Sequence, residues 1–273
     1  LPALEKKLAS IVRDWRDELR EQLVKRHGEE TGLKLADCYG RALPAGYIEE
    51  VSPGIAATDV EHLAALTGPD DLRLSLYRSR RKDGGLRFKL YRQLDDIPLS
   101  DALPMMENMG LRVISEHPYK VDAAAGLAYI QDFEVESLQG ELEVDAIDEH
   151  FEDAFARVWR GEAENDGFNR LILTAGLSWR QVAMLRSYCK YQLQVGVPFS
   201  QTYMEATLAR YPLLARLLVE LFEARFDPRT GSESDAEIKR GMSRFGAQLR
   251  SLSADDEAAM NALKSVIEAR AKG

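Results

Sequence analysis

Apolar residues in the first part of the chain recur at steps of three and four, with charged residues between them. In 1–26 the apolar positions are Leu4, Leu8, Ile11, Trp15, Leu19 and Leu23. This spacing predicts one long amphipathic helix, and Gly28 predicts its end. Two shorter helical patterns follow over 33–67. We therefore expect a helical lead-in over 1–69, in which Asp59 lies near the start of its helix, where a carboxylate favours the helix dipole.

The pattern changes to strict alternation at residue 72. Residues 72–78 and 86–92 alternate apolar and polar side chains, which is typical of half-buried strands, and Asp83-Gly84 between them is a hairpin signal. The remaining elements of this region are a helix from Leu99 to Gly110, strands over 111–120 and 127–135, and a helix from Asp145 to about Arg160. The order β-β-α-β-β-α predicts an antiparallel α+β module, ferredoxin-like or ACT-like, over 70–161, with its helices on one sheet face.

Every segment from residue 167 onward has a helical pattern. Ser178-x-x-Gln181 and Ser234-x-x-Glu237 both fit the capping box, in which a side chain and a backbone amide satisfy each other at a helix start. The run Asp227-Pro228-Arg229-Thr230-Gly231 predicts a loop between helices. We expect residues 162–273 to form an all-helical bundle.

Composition narrows the class of protein. Of the 273 residues, 45% are hydrophobic and 30% are charged, an ordinary balance for a globular protein. The net charge of -9 argues against general binding to nucleic acid or to acidic membranes, and no apolar run approaches the ~20 residues of a membrane span. Two cysteines, Cys38 and Cys189, cannot form a disulfide framework, so we expect a reducing, cytoplasmic location.

Motifs for catalysis and for cofactor binding are missing from the sequence. It contains no Gly-x-Gly, no phosphate-binding loop and no nucleophile elbow, which excludes a dinucleotide fingerprint. Its four histidines lie far apart, so we expect no metal site. Cys189 lies in a helical stretch and is expected to be a small packed side chain rather than a nucleophile. The sequence therefore predicts no catalytic residue, no cofactor-binding residue and no metal ligand.

A basic hairpin allows two interpretations. Its cations are Arg78, Arg80, Arg81, Lys82, Arg87, Lys89 and Arg92. With Tyr77, Phe88 and Tyr91 beside them they could stack nucleic acid. The alternative is a solvated hairpin tip and the outer face of an edge pair of strands. We favour the second interpretation because the net charge opposes the first.

Two groups of acidic residues also have two interpretations each. Glu134 and Glu136 face the same side of one strand; they are either an acid/base pair or ordinary surface carboxylates, and we favour the latter. Asp95, Asp96 and Ser100 lie between a strand and a helix. The helix amides there could receive a carboxylate ligand, and the alternative is helix capping by these side chains.

Four strings in the sequence carry a family resemblance. They are 97–114 (IPLSDALPMMENMGLRVI), 164–180 (ENDGFNRLILTAGLSWR), 186–204 (RSYCKYQLQVGVPFSQTYM) and 221–228 (LFEARFDP). Together they resemble the large bacterial NAD-specific glutamate dehydrogenases, over essentially 70–270. The resemblance implies an ACT-like module and helical motifs just upstream of the catalytic domain of a subunit several times longer. Since the chain begins at Leu1 rather than Met, we expect it to be part of such a longer polypeptide.

What the resemblance implies for function belongs to the longer enzyme. The family oxidises L-glutamate with NAD and water to 2-oxoglutarate, ammonium and NADH, and its catalytic residues and dinucleotide fold lie beyond this chain. We expect a non-catalytic regulatory and assembly segment that contacts the catalytic domain of the same polypeptide and forms homo-oligomers. A possible amino-acid effector would contact Asp95, Asp96, Ser100 and Asn108. The alternative is a purely structural scaffold with no ligand, and a self-contained small enzyme is disfavoured because no catalytic constellation is present.

Overall fold

The computed structural model describes residues 15–79, 85–138, 140, 144, 147–226 and 234–269. In chain order the lead-in helices are α1 (Trp15–His27), α2 (Glu29–Tyr39), α3 (Ala45–Glu50) and α4 (Pro53–Ala64). The α+β elements are β1 (Leu72–Arg78), β2 (Leu86–Gln93), α5 (Leu99–Asn108), β3 (Leu111–Ala123), β4 (Gly126–Ser137) and α6 (Asp148–Trp159). The later helices are α7 (Arg170–Ala175), α8 (Trp179–Gln194), α9 (Gln201–Arg210), α10 (Pro212–Phe226), α11 (Ser234–Leu249) and α12 (Ala254–Ala269).

These elements group into two compact units. The first contains the described residues up to Ala102 together with Val113–Val135, and the second contains Leu103–Arg112 together with the described residues from Glu136 onward. The lead-in helices and most of the sheet therefore fold as one unit. No described helix is both long enough and apolar enough to cross a bilayer.

The lead-in begins with a tight pair of helices. α1 and α2 are joined at Gly28, whose φ of 80° suits glycine. Leu19 and Leu23 of the predicted amphipathic stripe are fully buried, whereas Leu4, Leu8 and Ile11 lie outside the described residues. Asp59 was expected near the start of its helix, and this expectation is wrong: it lies in the middle of α4 with only 1% of its surface exposed.

The α+β fold class is confirmed. The four strands form one sheet in the order β1-β2-β4-β3, and β2 is antiparallel to both β1 and β4. β2 and β3 therefore lie on either side of β4, joined through α5, as expected for a ferredoxin-like layer. The tip of the predicted hairpin, residues 80–84, lies outside the described residues.

The sheet is buried on both faces where β2 crosses it. On one face Leu76 pairs with Phe88, and Leu74 pairs with Leu90, all of them buried. On the other face Lys89 lies opposite Asp132, and Tyr91 lies opposite Ile130. This second face packs against the lead-in helices, because Tyr91 and Ile130 share a core cluster with residues such as Leu23 and Val60.

The expectation of a solvated outer face is therefore wrong for the central part of β2. Lys89 is fully buried, and the Arg87 side chain is only 19% exposed. The physical reason is that the lead-in covers this face and supplies an opposite charge from α4. A strand that alternates apolar and charged residues is thus buried on both sides here.

From residue 167 onward the described elements are all helices, as expected for the bundle. The Ser178–Gln181 capping box is present at the start of α8. Ser234 begins α11, but its side chain and the loop 227–231 lie outside the described residues. Pro212 begins α10, where proline is well tolerated. Pro104 lies inside α5.

Candidate functional site

The loop between β2 and α5 exposes three of the four predicted site residues. Asp95, Asp96 and Ser100 are all exposed. Ser100 is the second residue of α5, and its hydroxyl donates to the Asp101 carboxylate at 3.2 Å. The carbonyl of Pro98 accepts the first helical hydrogen bonds, from the amides of Asp101 and Ala102. The backbone at Pro98 thus begins the helix and leaves the three side chains directed to solvent.

Asn108 lies at the other end of α5. Eight residues separate it from Ser100, which is about 12 Å along a helix. Its amide donates to the Asn165 side chain at 3.0 Å, within the second unit. The structure therefore brings Asp95, Asp96 and Ser100 into one loop and places Asn108 apart from them.

A buried glutamine anchors this loop. Gln131 of β4 accepts a hydrogen bond from the Ile97 amide at 2.8 Å and donates to the Ile97 carbonyl at 2.9 Å. Just before the loop, Leu94 has a φ of 68° with a half-exposed side chain, a conformation that costs a non-glycine residue about 1 kcal/mol. Gln131 thus fixes the loop at Ile97, and no sequence pattern indicated Gln131 because it lies 34 residues from Ile97.

The centre of the first unit is a buried charged group that we call the seam cluster: Asp59, Lys89, Tyr47 and Tyr91. Lys89 Nζ donates to Asp59 Oδ2 at 2.6 Å, and the Tyr91 hydroxyl donates to Asp59 Oδ1 at 2.8 Å. The Tyr47 hydroxyl also donates to the Asp59 carboxylate. Three donors on one carboxylate satisfy it in a site that excludes water, which is the condition for burying a charge.

Electrostatics of the seam cluster follow from this burial. Burial alone would lower the pKa of Lys89, but attraction by Asp59 and Asp132 outweighs it and raises that pKa. Burial, reinforced by the negative charge of Asp59, holds the pKa of Tyr47 and of Tyr91 well above the ordinary value. Lys89 is therefore charged and both tyrosines are neutral donors at neutral pH.

A second charged pair continues from the seam cluster toward the surface. Arg87 binds Asp132 with two nitrogens, each contact being 2.9 Å, and Lys89 Nζ lies 3.6 Å from Asp132 Oδ2. Burial raises the pKa of Tyr77, whose ring lies 5.4 Å from Lys89 Nζ, to about 12. Lys89 and the partly buried Arg87 thus balance the carboxylates of Asp59 and Asp132.

A small cavity opens beside Arg87 and Asp132. Its volume is about 40 Å³, and its polar lining includes Tyr77, Tyr119, Glu50 and Glu134. Tyr119 donates to Glu50 at 2.5 Å, and His117 Nδ1 lies 3.1 Å from the same carboxylate. Since about 10–15 Å³ of such space is enough for one water molecule, this cavity has room for ordered water.

The paired glutamates of β4 have separate partners. Glu134 accepts a hydrogen bond from the Ser115 hydroxyl at 3.0 Å. Glu136 pairs with Arg112, and both of those side chains are more than half exposed. Nothing in this geometry separates the two carboxylates into an acid and a base, and among the described residues no group of three candidate ligands could hold a metal ion.

Two further polar hubs hold the second unit together. Arg186, buried on α8, binds the Asp166 carboxylate at 2.7 and 2.8 Å and donates to the Asn169 side chain at 2.7 Å. Asp256, buried at the start of α12, accepts from Tyr203 at 2.8 Å and from Tyr211 at 3.0 Å. These are structural ties, because each buried charge has partners of the opposite charge and hydrogen-bond partners within the protein.

Cys189 lies in the same bundle and is fully buried. Burial raises the pKa of its thiol far above the ordinary value, so the nucleophilic thiolate is not formed at neutral pH. A packed, unreactive side chain accounts for this residue.

Comparison with known proteins assigns the chain to a family. Three family models match it in succession: glutamate dehydrogenase helical motif 2 at residues 22–66, glutamate dehydrogenase ACT3 domain at 71–147, and glutamate dehydrogenase helical motif 3 at 163–228. Together they cover more than half of the chain. The chain therefore belongs to the glutamate dehydrogenase family, in the region that carries these motifs upstream of the catalytic domain.

Curated relatives agree with this assignment. An NAD-specific glutamate dehydrogenase of Halomonas elongata is 45% identical over 227 residues, which is 82% of this chain and 14% of that protein. The Pseudomonas aeruginosa protein of the same name is 37% identical over 226 residues, with the same coverage. The Mycobacterium tuberculosis one is 32% identical over 273 residues, covering 96% of this chain and 16% of that protein. The chain thus spans about one seventh of the length of these relatives.

Proposed function

We propose that this chain is the non-catalytic regulatory and assembly segment of a cytoplasmic, NAD-dependent glutamate dehydrogenase. The reaction of the whole enzyme would be oxidation of L-glutamate by NAD and water to 2-oxoglutarate, ammonium and NADH, with NAD bound elsewhere in the polypeptide. The observation that carries this proposal is the succession of an ACT3 model between two helical-motif models, in relatives about seven times as long as the matched region.

The proposed regulatory site is the exposed loop before α5. Asp95 and Asp96 place two negative charges there, which favour the ammonium group of an amino acid. The first backbone amides of α5, next to Ser100, lie at the positive end of the helix dipole and favour the carboxylate of the amino acid. Asn108 lies about 12 Å away along the helix, so it would contact a second group or a neighbouring segment rather than the same amino acid.

The alternative is a scaffold without a ligand, and specific contacts favour it. Asp59 and Lys89 tie the lead-in to the sheet. Tyr203 and Asp256 tie α9 to α12. Such buried ties maintain shape without requiring an effector. In this case the segment would position the catalytic domain of the same polypeptide and contact other subunits.

Titration calorimetry of the 273-residue chain with a panel of amino acids at millimolar concentration separates these functions. The regulatory proposal predicts heat from one or a few amino acids, and loss of that heat in the Asp95→Ala/Asp96→Ala double variant. Asp122→Ala, an exposed carboxylate on β3, is the matched control and should bind like the wild type. Absence of heat in a folded chain would remove the regulatory role and leave the scaffold. Turnover of glutamate and NAD by the chain alone would contradict both.

A further inference from the structure

An open groove lies between α6 and the start of α8, entirely within the second unit. Its volume is about 510 Å³, and small-molecule sites in proteins have volumes of roughly 300–1,000 Å³. Glu149, Asp153 and Arg157 line it from α6, and Trp179 and Arg180 line it from α8. The groove therefore has room for a small molecule, and it presents an aromatic ring together with charges of both signs.

Trp179 supplies a ring against which a planar ligand can stack. The ring is half-buried, and the guanidinium carbons of Arg157 and Arg180 lie 5.2 and 5.3 Å from its centroid. Guanidinium groups at this distance attract an aromatic ring. Since Arg157 is also paired with Asp153 at 3.3 Å and with Glu162, one of these two cations is itself held in place. An aromatic ring with flanking arginines is typical of sites that bind nucleobases.

Arg180 is the cation of the groove that is available to an anionic group. Its side chain is exposed and forms no ion pair with any described residue. At the start of α8 the side chains of Ser178 and Gln181 satisfy each other's backbone amides, which leaves the amides of Trp179 and Arg180 without a partner inside the helix. A guanidinium group with helix-start amides beside it favours a phosphate group.

Two carboxylates line the groove from α6. Glu149 and Asp153 are four residues apart, so they lie on the same face of that helix. Both are exposed, and the Glu149 carboxylate has no cationic partner among the described residues. Within those residues no group of three candidate ligands could hold a metal ion. Carboxylates in nucleotide sites accept hydrogen bonds from ribose hydroxyls, and these two are suited to the same role.

We propose that this groove is a binding site for a nucleoside monophosphate. The base stacks on Trp179, the phosphate group contacts Arg180, and the ribose hydroxyls donate to the carboxylates of Glu149 and Asp153. These two carboxylates balance the charges of Arg157 and Arg180, so the side chains of the groove present no excess of negative charge to a phosphate group. The site is additional to the proposed amino-acid site, whose Asp95, Asp96 and Ser100 belong to the first unit.

Titration calorimetry of the 273-residue chain with AMP, adenosine and inorganic phosphate tests the class of ligand. AMP should bind at millimolar concentration or below. Adenosine lacks the phosphate group and should bind about tenfold more weakly, because the charge-assisted contact with Arg180 is lost. Inorganic phosphate lacks the base and the sugar, and it should reduce AMP binding by competition. Absence of heat from AMP in the folded chain would overturn the proposal.

A charge variant tests the position of the phosphate group. Arg180→Gln should weaken AMP binding about tenfold and leave adenosine binding unchanged. Since Arg180 is exposed, this replacement should leave the thermal unfolding midpoint unchanged. Arg250→Gln removes another exposed arginine of the second unit, outside the groove, and is the matched control that should bind AMP like the wild type.

Replacing the ring tests the position of the base. Trp179→Ala should weaken the binding of AMP and of adenosine alike, by about tenfold, because both ligands lose the stacking contact. Trp179→Phe keeps an aromatic ring and should retain most of the affinity for both. If Trp179→Ala proves unstable, the comparison of Trp179→Phe and Arg180→Gln with the wild type still separates the contact of the base from that of the phosphate group.

The sugar contact has a ligand-based test. Glu149→Gln should lower the affinity for AMP more than the affinity for 2′,3′-dideoxy-AMP, which has no ribose hydroxyls to donate. Equal losses for the two ligands would contradict the contact between this carboxylate and the sugar. NAD contains the same adenylate group, so titration with NAD shows whether the groove binds that group within a dinucleotide as well as in a free mononucleotide.

The outcomes separate this inference from the proposed function. AMP binding that is insensitive to both Arg180→Gln and Trp179→Ala would overturn the assignment to this groove. An amino acid that displaces AMP through the Arg180 and Trp179 side chains would overturn the nucleotide class of the ligand. The Asp95→Ala/Asp96→Ala variant should bind AMP like the wild type, so loss of amino-acid binding and loss of nucleotide binding are measured independently.

Discussion

Lys89 Nζ and Asp59 Oδ2 lie 2.6 Å apart, and both side chains are almost completely buried. This contact joins β2 of the sheet to α4 of the lead-in. A buried ion pair is seldom a net source of stability, because desolvation of both charges offsets their attraction. What it does provide is a strong penalty for any arrangement in which one charge is buried without the other, so it favours one position of the lead-in on the sheet.

Removing one partner should therefore be costly. Lys89→Met leaves Asp59 buried with only its two tyrosine donors, and we expect a loss of about 3 kcal/mol in the free energy of unfolding of the first unit. Asp59→Asn keeps the size of the side chain and should cost less, because Lys89 retains Asp132 at 3.6 Å. Urea unfolding can be followed by Trp15 fluorescence with Trp159 and Trp179 replaced by phenylalanine.

The double variant and a surface lysine complete this test. Asp59→Asn/Lys89→Met should be less destabilised than the sum of the single variants, by about 1–3 kcal/mol of coupling. Lys120→Met removes an exposed lysine and should change stability by less than about 0.5 kcal/mol. If Lys89→Met were as mild as Lys120→Met, the seam cluster would have no role in holding the lead-in.

Gly32 is required by the close crossing of α1 and α2. A Cβ at this position would lie 2.5 Å from the backbone N and Cα of Val24, and backbone atoms cannot move aside as a flexible side chain can. We expect Gly32→Ala to destabilise the first unit by about 2–4 kcal/mol through this overlap. Gly46, in helix α3, has open space around its Cα, so Gly46→Ala should be neutral or stabilising by up to about 1 kcal/mol. Equal effects of the two substitutions would contradict the close crossing.

His62 makes the first unit sensitive to acid. Its ring stacks on Tyr91 at 4.7 Å, and burial lowers its pKa, with Arg73 and Lys89 acting in the same direction and Asp59 and Glu61 opposing them. Because the folded pKa is below the unfolded value of about 6.5, the unfolded chain binds more protons in acid. The contribution of His62 to the free energy of unfolding is therefore fully present above pH ~6.5. It is lost as the pH falls through the pKa of His62 in the folded chain.

Two histidine variants check this dependence. His62→Phe retains an aromatic ring against Tyr91 and should flatten the decline of the urea midpoint between about pH 6.5 and pH 5. His150→Phe changes an exposed histidine of the second unit and should leave that decline as it is. A wild-type midpoint that rises as the pH falls through this range would contradict this role of neutral His62.

Local periodicity predicts most elements of this chain, and the reason is visible in the sheet. Leu74 and Leu76 alternate with polar residues and lie on one buried face, so a period of two was sufficient. Periodicity could not show that the polar face was buried as well. An alternating strand pattern predicts that Lys89 is exposed to solvent. Its partner Asp59 is 30 residues away on a helix, and no local pattern spans that separation.

Prediction of the candidate site from the sequence was limited in the same way. The loop of Asp95 and Asp96 follows from the change of period between β2 and α5, but its anchor at Gln131 depends on the β2–β4 register. Asn108 was grouped with this loop because it belongs to the same helix, and the length of α5 separates it from Ser100. Contacts within one element were predictable, whereas contacts between elements required the fold.

Asp256 should be the residue on which the position of α12 depends most. Its carboxylate is 3% exposed and contacts Arg210 at 3.2 Å in addition to the hydroxyls of Tyr203 and Tyr211. Burial would raise its pKa, but hydrogen bonds from the side chains of Tyr203, Ser253, Tyr211 and Thr207 outweigh it and lower the pKa. Asp256→Ala removes the acceptor of the partly buried Tyr203 and Tyr211 hydroxyls, and we expect local opening of α12 to become easier by about 2–3 kcal/mol.

Hydrogen exchange measured by mass spectrometry on peptides from Ala254–Ala269 reports this opening. When opening is at equilibrium, lowering its free energy by about 2–3 kcal/mol makes exchange about 30- to 150-fold faster. Asp255→Ala changes an exposed carboxylate in the same turn of the same helix, so it controls for the loss of a negative charge near the helix start and should change exchange by less than about threefold. If both variants accelerate exchange equally, the helix dipole rather than the buried contacts of Asp256 holds α12 in place.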